Sequence, residues 1–306
     1  MKVAVTGATG LIGSRLVARL LERGDEVTVL TRDPDRARGR LGQVGLGQVG
    51  TTAWSPTHAP APADALAGRD AVVHLAGENV AQRWTREARE RIRASRELGT
   101  SDLVAGIRAA DPRPGVLVSA SGVGYYGARG DERIDETAPP GHDFLAEVVV
   151  AWEREAEAAT QAGARVVRVR TGVVLDRSGG ALAKMLPPFR AGIGGPVAGG
   201  RQYMPWIHLD DLVGVYLAAL DHAEWSGPLN ASAPEPVTNR EFSKALGRAL
   251  HRPAVMPVPA LALRMLYGGM AEIVTTGQRA VPRRLSELGH RFRHTDLDEA
   301  LATALR

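Results

Sequence analysis

Eleven residues near the start of the chain, Val3-Ala4-Val5-Thr6-Gly7-Ala8-Thr9-Gly10-Leu11-Ile12-Gly13, constrain the fold more than any other stretch. An apolar strand runs into a loop with glycines at 7, 10 and 13, and an apolar helix follows from Leu11 to Leu21. Glycines placed there serve a tight turn, a close backbone approach to pyrophosphate and close helix–strand packing. The helix that follows offers unpaired N–H groups and the positive end of its dipole to phosphates. Gly7, Thr9, Gly10, Leu11, Ile12 and Gly13 are therefore candidate dinucleotide ligands. The alternative is a tight strand–helix turn that binds nothing.

Further strands are expected at Glu26–Leu30, Thr51–Trp54, Ala71–Gly77, Val116–Ser119 and Val166–Arg170, with helices near 84–109 and 143–161 between them. Strands alternating with helices predict an α/β Rossmann-type doubly wound parallel sheet, with ligands beyond the strands' carboxyl ends. Residues 42–50 hold a small tandem repeat, Gly-Gln-Val-Gly-Leu-Gly-Gln-Val-Gly, which reads as an exposed loop. From about 180 the texture changes to Gly- and Pro-rich loops with helices near 210–222, 239–250 and 259–276. The expected organisation is a dinucleotide-binding domain over 1–180, continuing in part through 205–225. A smaller, mostly helical lobe spans 181–306, with substrate in the cleft between the lobes.

Composition removes several classes. The 306 residues include no cysteine, which excludes disulfides, thiolate metal sites and a cysteine nucleophile. No metal is expected: His290 and His294 share a possible helical face, but no carboxylate completes a set. His208 with Asp210 and Asp211 reads as a strand end and helix cap. The pI near 9.7 comes almost wholly from arginine, and the densest basic run, Arg83 to Arg96, is interleaved with Glu87 and Glu90. It reads as a solvated helix face rather than a nucleic-acid stripe. No apolar run reaches a membrane span, and Met1-Lys2-Val3 enters a strand with no signal-peptide pattern. A cytoplasmic protein is the expectation.

Several motifs together resemble the extended short-chain dehydrogenases, the nucleotide-sugar epimerase group: Thr6 to Gly13, Leu75-Ala76-Gly77, Ser119-Ala120-Ser121, Tyr126-Gly127 and Trp206-Ile207-His208-Leu209-Asp210-Asp211. More narrowly, Leu75 to Asn79, Gly124-Tyr125-Tyr126-Gly127, Pro187-Pro188-Phe189-Arg190 and Met204 to His208 are similar to an atypical branch of epimerase-like proteins without an assigned substrate. That branch carries a C-terminal domain of unknown function, matching roughly 248–298 here. The resemblance implies a nicotinamide cofactor, with Leu75, Ala76 and Gly77 passing beneath its middle. Val174 is a candidate nicotinamide neighbour or a plain core valine. Arg96 stands where the group commonly has asparagine, and either reaches a phosphate or faces solvent. By analogy, the helices near 84–109 and 143–161 pair two subunits in a homodimer.

The second strand ends at Thr31-Arg32 instead of the acidic residue that binds both ribose hydroxyls in NAD enzymes. Arginine pairs with a 2′-phosphate by charge-assisted hydrogen bonds, so NADP(H) is the expected cofactor. An ordinary exposed arginine in a charged loop is the alternative. The resemblance also implies a serine with Tyr-x-x-x-Lys. Ser121 matches the serine, but the helix expected to carry the pair places Phe144 and Val148 there, and no tyrosine has a lysine four residues later. A free tyrosine lies about three pH units above neutrality, roughly 4 kcal/mol against its ionised form. Without lysine, something else must supply that, or the tyrosine acts only as a neutral donor. Ser121 and Tyr125 are the candidate catalytic residues. Tyr126, His142, Asp143 and Glu147 are further acid–base candidates, and Arg201 can pair an anionic substrate group. Three functions are carried forward: an NADP(H)-dependent oxidoreductase or epimerase acting on a carbonyl or sugar-like substrate; a non-catalytic NADP(H) redox sensor; and a scaffold that uses the fold alone.

Overall fold

A computed structural model describes residues 1–42 and 49–306. The repeat at 42–50 lies largely outside the described residues, between Gly42 and Val49. The first half alternates as the sequence pattern requires: β1 (Lys2–Thr6), α1 (Leu11–Glu22), β2 (Glu26–Thr31), α2 (Pro34–Leu41), β3 (Gly50–Ala53), α3 (Ala63–Leu66), β4 (Ala71–His74), α4 (Arg86–Ala109) and β5 (Val116–Gly122). A 3-10 turn (Val123–Tyr126), β6 (Arg133–Ile134), α5 (Phe144–Glu157), β7 (Arg165–Thr171) and β8 (Val173–Leu175) follow. The C-terminal part contains α6 (Gly180–Arg190), β9 (Tyr203–Met204), β10 (Trp206–His208), α7 (Leu209–Asp221), β11 (Gly227–Ala231), β12 (Val237–Thr238) and α8 (Asn239–Ala249). The chain ends with α9 (Ala260–Tyr267), α10 (Ala271–Thr275), β13 (Arg279–Ala280), α11 (Arg283–Glu287) and α12 (Leu297–Ala304).

Seven strands form one parallel sheet in the order β11-β7-β5-β4-β1-β2-β3. The chain leaves β1 toward β2 and β3, then crosses back to β4 on its other side. That reversal opens a crevice at the carboxyl ends of β1 and β4, the usual place for a ligand in such sheets. Val3 and Val5 point to one face, where Leu16, Val17 and Leu20 of α1 and Leu212 and Tyr216 of α7 cover them. Ala4 points to the other face, with Leu103, Val104 and Ile107 of α4. Strands buried on both faces read as continuous apolar runs, which is why β1 and β4 are legible from sequence. A third core gathers Leu182, Phe189, Phe242, Leu246 and Leu301 around Trp206, and builds the C-terminal lobe.

Four sequence expectations change. β5 runs through Gly122, so Ser121 lies inside the strand, and Tyr125 sits on a 3-10 turn rather than an open loop. The sheet takes its last strand, β11, from residues beyond 225. The helix expected over 259–276 is two helices, because Gly268-Gly269 interrupts it and Gly268 has φ +60°. Residues 290–296 are not helical, so His290 and His294 share no helical face. No helix among the described residues is long and apolar enough to cross a membrane.

Candidate cofactor and active site

The β1–α1 turn is shaped by backbone that leaves no room for side chains. Gly7 has φ +68°, and a Cβ there would lie 2.6 Å from the Leu75 carbonyl carbon. A Cβ on Gly13 would lie 2.3 Å from the Gly7 oxygen. Helices α2, α4, α5, α8 and α12 are capped by the side chains of Asp33, Thr85, Asp143, Thr238 and Asp296. The cap of α1 is Gly10, which makes no side-chain hydrogen bond, and its first turn holds no acidic residue. An uncapped N-terminus facing a crevice at the switch point is built for an anion. Leu11 packs on Gly179 and Gly180, tying this loop to the start of α6 beside the Val174 carbonyl. Ile12 packs on the main core.

A buried polar chain fixes the neighbouring loop. Thr6 Oγ1 accepts hydrogen bonds from the Leu75 and Ala76 amides, both at 3.2 Å. Its two lone pairs used, it donates to His74 Nδ1 at 2.7 Å, which puts the ring proton on Nε2, 3.0 Å from Thr100 Oγ1. Burial, with Arg96 adding to it, pulls His74 down to about 4. Relative to its ordinary 6.5, that is worth about 3 kcal/mol. Between the two values the unfolded chain binds a proton that the folded chain does not. The contribution is thus whole above about pH 6.5 and is lost as pH falls toward 4. In denaturation series across that window, His74→Gln is expected to reduce the pH slope of stability by about one proton. An unchanged slope contradicts this reading of His74.

At the end of β2, Thr31 Oγ1 accepts from the Asp33 amide at 3.3 Å. Asp33, the nearest carboxylate to the strand end in sequence, accepts from the Arg36 amide as the cap of α2, and Asp35 pairs with Arg38. Arg32 is exposed and has no carboxylate partner among the described residues. Arg96 does not simply face solvent: it is half-buried, donates to the Glu78 carbonyl at 3.0 Å and stacks over Trp152. A Cβ on Gly77 would lie 3.3 Å from its Cζ, which places the guanidinium directly behind the Leu75–Gly77 loop.

Ser121, at the carboxyl end of β5, opens a buried network that sequence reasoning missed. Its Oγ donates to Glu153 Oε1 at 2.6 Å. Arg170 grips the same carboxylate with two hydrogen bonds of 2.8 Å. The Arg170 guanidinium also donates to the Tyr126 hydroxyl at 2.9 Å, which donates to Asn230 Oδ1 at 2.7 Å. Glu153 and Arg170 are only 4% and 3% exposed. Burial opposes the Arg170 charge, but the bonds and charge of Glu153 outweigh it and hold the guanidinium above its ordinary value. Burial pushes the fully enclosed Tyr126 hydroxyl up to about 12. Tyr125 differs: its ring lies on the Arg170 guanidinium, 3.5 Å from Cζ to centroid, and is half-buried. Among the described residues its hydroxyl has no hydrogen-bond partner. Since an ionised carboxylate only accepts, Ser121 must donate to Glu153, and what it can offer a ligand is a lone pair. The signal for this network is Arg168 and Arg170 inside a strand that the sheet buries on both faces.

The register of α5 corrects the expected pair positions. Phe144 packs edge-on against Trp84, toward α4, with Arg89 and Arg93 over its ring. Leu145 is the residue at the site: a Cβ on Gly124 would lie 2.8 Å from its Cδ2. One and two turns on, Val149 and Glu153 share its face, so leucine and valine rather than Phe144 and Val148 occupy the Tyr/Lys positions. Asp143 caps α5, and Glu147 pairs with Arg93 on the surface.

A cavity of about 720 Å³ lies between the loop at 128–131 and residues of 200–203, 238–240 and 275–277, lined by Ala128, Asp131, Arg201, Tyr203, Thr238 and Arg240 among others. Neither arginine there has a carboxylate partner among the described residues. Elsewhere His208, Asp210 and His294 come close enough to suggest a metal. Their geometry argues otherwise. The His208 and His294 rings lie 3.9 Å apart with their planes tilted by 38°, and His208 Nδ1 already accepts the Asp210 amide as the cap of α7. Its proton therefore sits on Nε2, and with the Nδ1 lone pair taken by that amide His208 has none left for an ion.

Comparison with known proteins gives the same outline. Residues 3–231 match the model of the NAD dependent epimerase/dehydratase family, and 258–304 match a domain of unknown function, DUF1731. An epimerase family protein of Mycobacterium bovis is 42% identical, over 99% of this chain and 97% of its own. The human epimerase family protein SDR39U1 is 37% identical, over 98% of each chain. The crystal structure of human SDR39U1 (isoform 2) with NADPH is similar at TM-score 0.87, with 36% identity and all of both chains covered. A nucleoside-diphosphate sugar epimerase of Corynebacterium glutamicum gives TM-score 0.78 at 35% identity, over all of this chain and 58% of its own.

Proposed function

The chain belongs to the NAD dependent epimerase/dehydratase family, and from that premise we propose that it is an NADP(H)-dependent oxidoreductase or epimerase of the extended short-chain type. Its substrate is a carbonyl or sugar-like small molecule, and its active site works without Tyr-x-x-x-Lys. The observation that carries this reading is the pairing of an open glycine cradle at α1 with Ser121 and Tyr125 at the end of β5. A bound nicotinamide ring supplies or takes a hydride at its C4. The uncapped start of α1 would hold the pyrophosphate, Leu75–Gly77 would lie against the cofactor's middle, and Thr31 with Arg32 would hold the 2′-phosphate. The NADPH-bound human relative supports that choice of cofactor. Arg32→Glu is expected to lower the preference for NADPH over NADH by about tenfold to a hundredfold, since a charge-assisted pair becomes a repulsion. Equal preference in both proteins counts against the assignment.

Tyr125 carries the free hydroxyl proton. It gives that proton to a substrate carbonyl oxygen as hydride reaches the carbon, and takes it back in the reverse direction. Ser121, its own proton committed to Glu153, accepts a hydrogen bond from a substrate hydroxyl. Arg201 and Arg240 suit an anionic group on the substrate. Tyr125→Phe is expected to leave NADPH affinity unchanged, measured by cofactor fluorescence, and to cut hydride transfer on a panel of carbonyls and nucleotide sugars about a hundredfold. Ser121→Ala costs about tenfold. The sensor reading is favoured by one observation, that Leu145 and Val149 fill the pair positions. Tight NADPH binding with no hydride transfer to any compound of the panel establishes the sensor instead.

A further inference from the structure

Among the described residues, eight of the ten exposed large hydrophobic side chains cluster at Ile193 and within 255–273. Helix α9 is the centre of that patch, and none of its residues is buried. Leu261, Met265 and Leu266 are 68%, 65% and 65% exposed, and Val255 in the preceding link is 74% exposed. Such a concentration on one small segment marks an interaction surface. The ridge is not a loose tail. Val258 exchanges backbone hydrogen bonds with Pro196 and Ala198 at one end, and Tyr267 accepts from the Trp84 amide at the other. The fold therefore holds an apolar ridge outward.

Charge selects the occupant. Residues 252–271, which hold helix α9 and the link before it, contain Arg252 and Arg264 and no carboxylate; one acidic residue, Glu272, follows at the far end of the patch. Arg252 is tied to the Arg190 carbonyl, and a Cβ on Gly269 would lie 2.6 Å from Arg89 Nη2, so arginines flank both ends of the ridge. A two-fold pairing with a second copy would set this cationic rim against itself. A convex ridge of leucine and methionine with arginines beside it fits an interface of acyl chains under anionic headgroups. We propose that α9 and the preceding link dock this protein on an anionic lipid surface, lying on it without crossing it.

The test is co-sedimentation of the full-length, NADPH-loaded protein with vesicles of phosphatidylcholine, with and without about 30% phosphatidylglycerol. Binding is expected to the anionic vesicles alone, weakening with salt. It should fall at least about tenfold in Leu261→Asp and in Arg264→Glu, with NADPH affinity kept in both. Both positions are exposed, so neither change disturbs the core, and cofactor fluorescence checks the fold. Absence of binding to anionic vesicles overturns the proposal, as does binding that Leu261→Asp leaves intact. Light scattering that shows a dimer split by Leu261→Asp assigns the ridge to a second copy and overturns it equally.

Discussion

Replacing Gly13 with alanine is expected to lower NADPH affinity by at least about a hundredfold and to destabilise the protein by about 1–3 kcal/mol. The new Cβ would sit 2.3 Å from the Gly7 oxygen and 2.7 Å from Ala8 Cα, both backbone atoms that no rotamer change can clear. Relief requires α1 to move off the loop, and that motion takes the helix N-terminus away from the phosphates. Two controls separate this from a general cost of alanine. Gly10→Ala meets the Gly7 oxygen at 3.3 Å, a contact that small shifts absorb, so stability should hold while affinity falls. Gly39→Ala, inside α2 with open space around it, should leave affinity unchanged and raise stability by about 0.5–1 kcal/mol. Fluorescence titration with NADPH and urea denaturation measure both quantities. Near-native affinity in Gly13→Ala contradicts the assignment of this loop.

Arg170→Met is expected to cost about 3–5 kcal/mol, because it leaves the Glu153 carboxylate buried with no cation gripping it. Arg168 reaches Glu153 only at 3.6 Å and is shared with Glu157, so it does not replace the lost bidentate pair. The double change Arg170→Met, Glu153→Leu should recover most of the loss, since no charge is then stranded. It should not recover turnover, because Ser121 then has no acceptor for its proton and Tyr125 has lost the cation under its ring. A cost below about 1 kcal/mol for the single variant means water reaches this pair and the network is not closed.

The sheet was legible because its strands are buried on both faces, and apolar runs such as Val3–Val5 and Ala71–Val73 have few other places to go. The cofactor loop was legible because phosphate binding at a helix end needs glycine at fixed offsets. The active site was less so. Helix α5 is apolar on several sides, Phe-Leu-Ala-Glu-Val-Val-Val, so its periodicity cannot say whether Phe144 or Leu145 faces Ser121. Only packing against Gly124 and Trp84 decides it. Glu153 lies 32 residues from Ser121, and Arg170 a further 17 from Glu153. No local pattern joins them. Arg96 was placed on the right helix, but which way its guanidinium turns depends on Gly77 and Trp152, which sequence spacing does not bring together. The helix expected near 259–276 carried no sign that its apolar side chains stay uncovered, since exposure is a property of what fails to cover them.

In the proposed function a whole NADP(H) cradle is served by Tyr125 and Ser121, on the turn and strand of β5, instead of by a pair on α5. A crystal structure of the protein with NADP(H) tests it most directly. The expected result places the 2′-phosphate against Arg32 and the pyrophosphate on the start of α1. The nicotinamide C4 then faces a space bounded by the Tyr125 hydroxyl and Ser121 Oγ, with the Tyr125 hydroxyl able to reach the reacting substrate oxygen at about 2.6–3.2 Å and Ser121 Oγ able to accept from a neighbouring substrate hydroxyl. A nicotinamide whose C4 is closed off by Leu145 and Val149, with Tyr125 turned away, contradicts it.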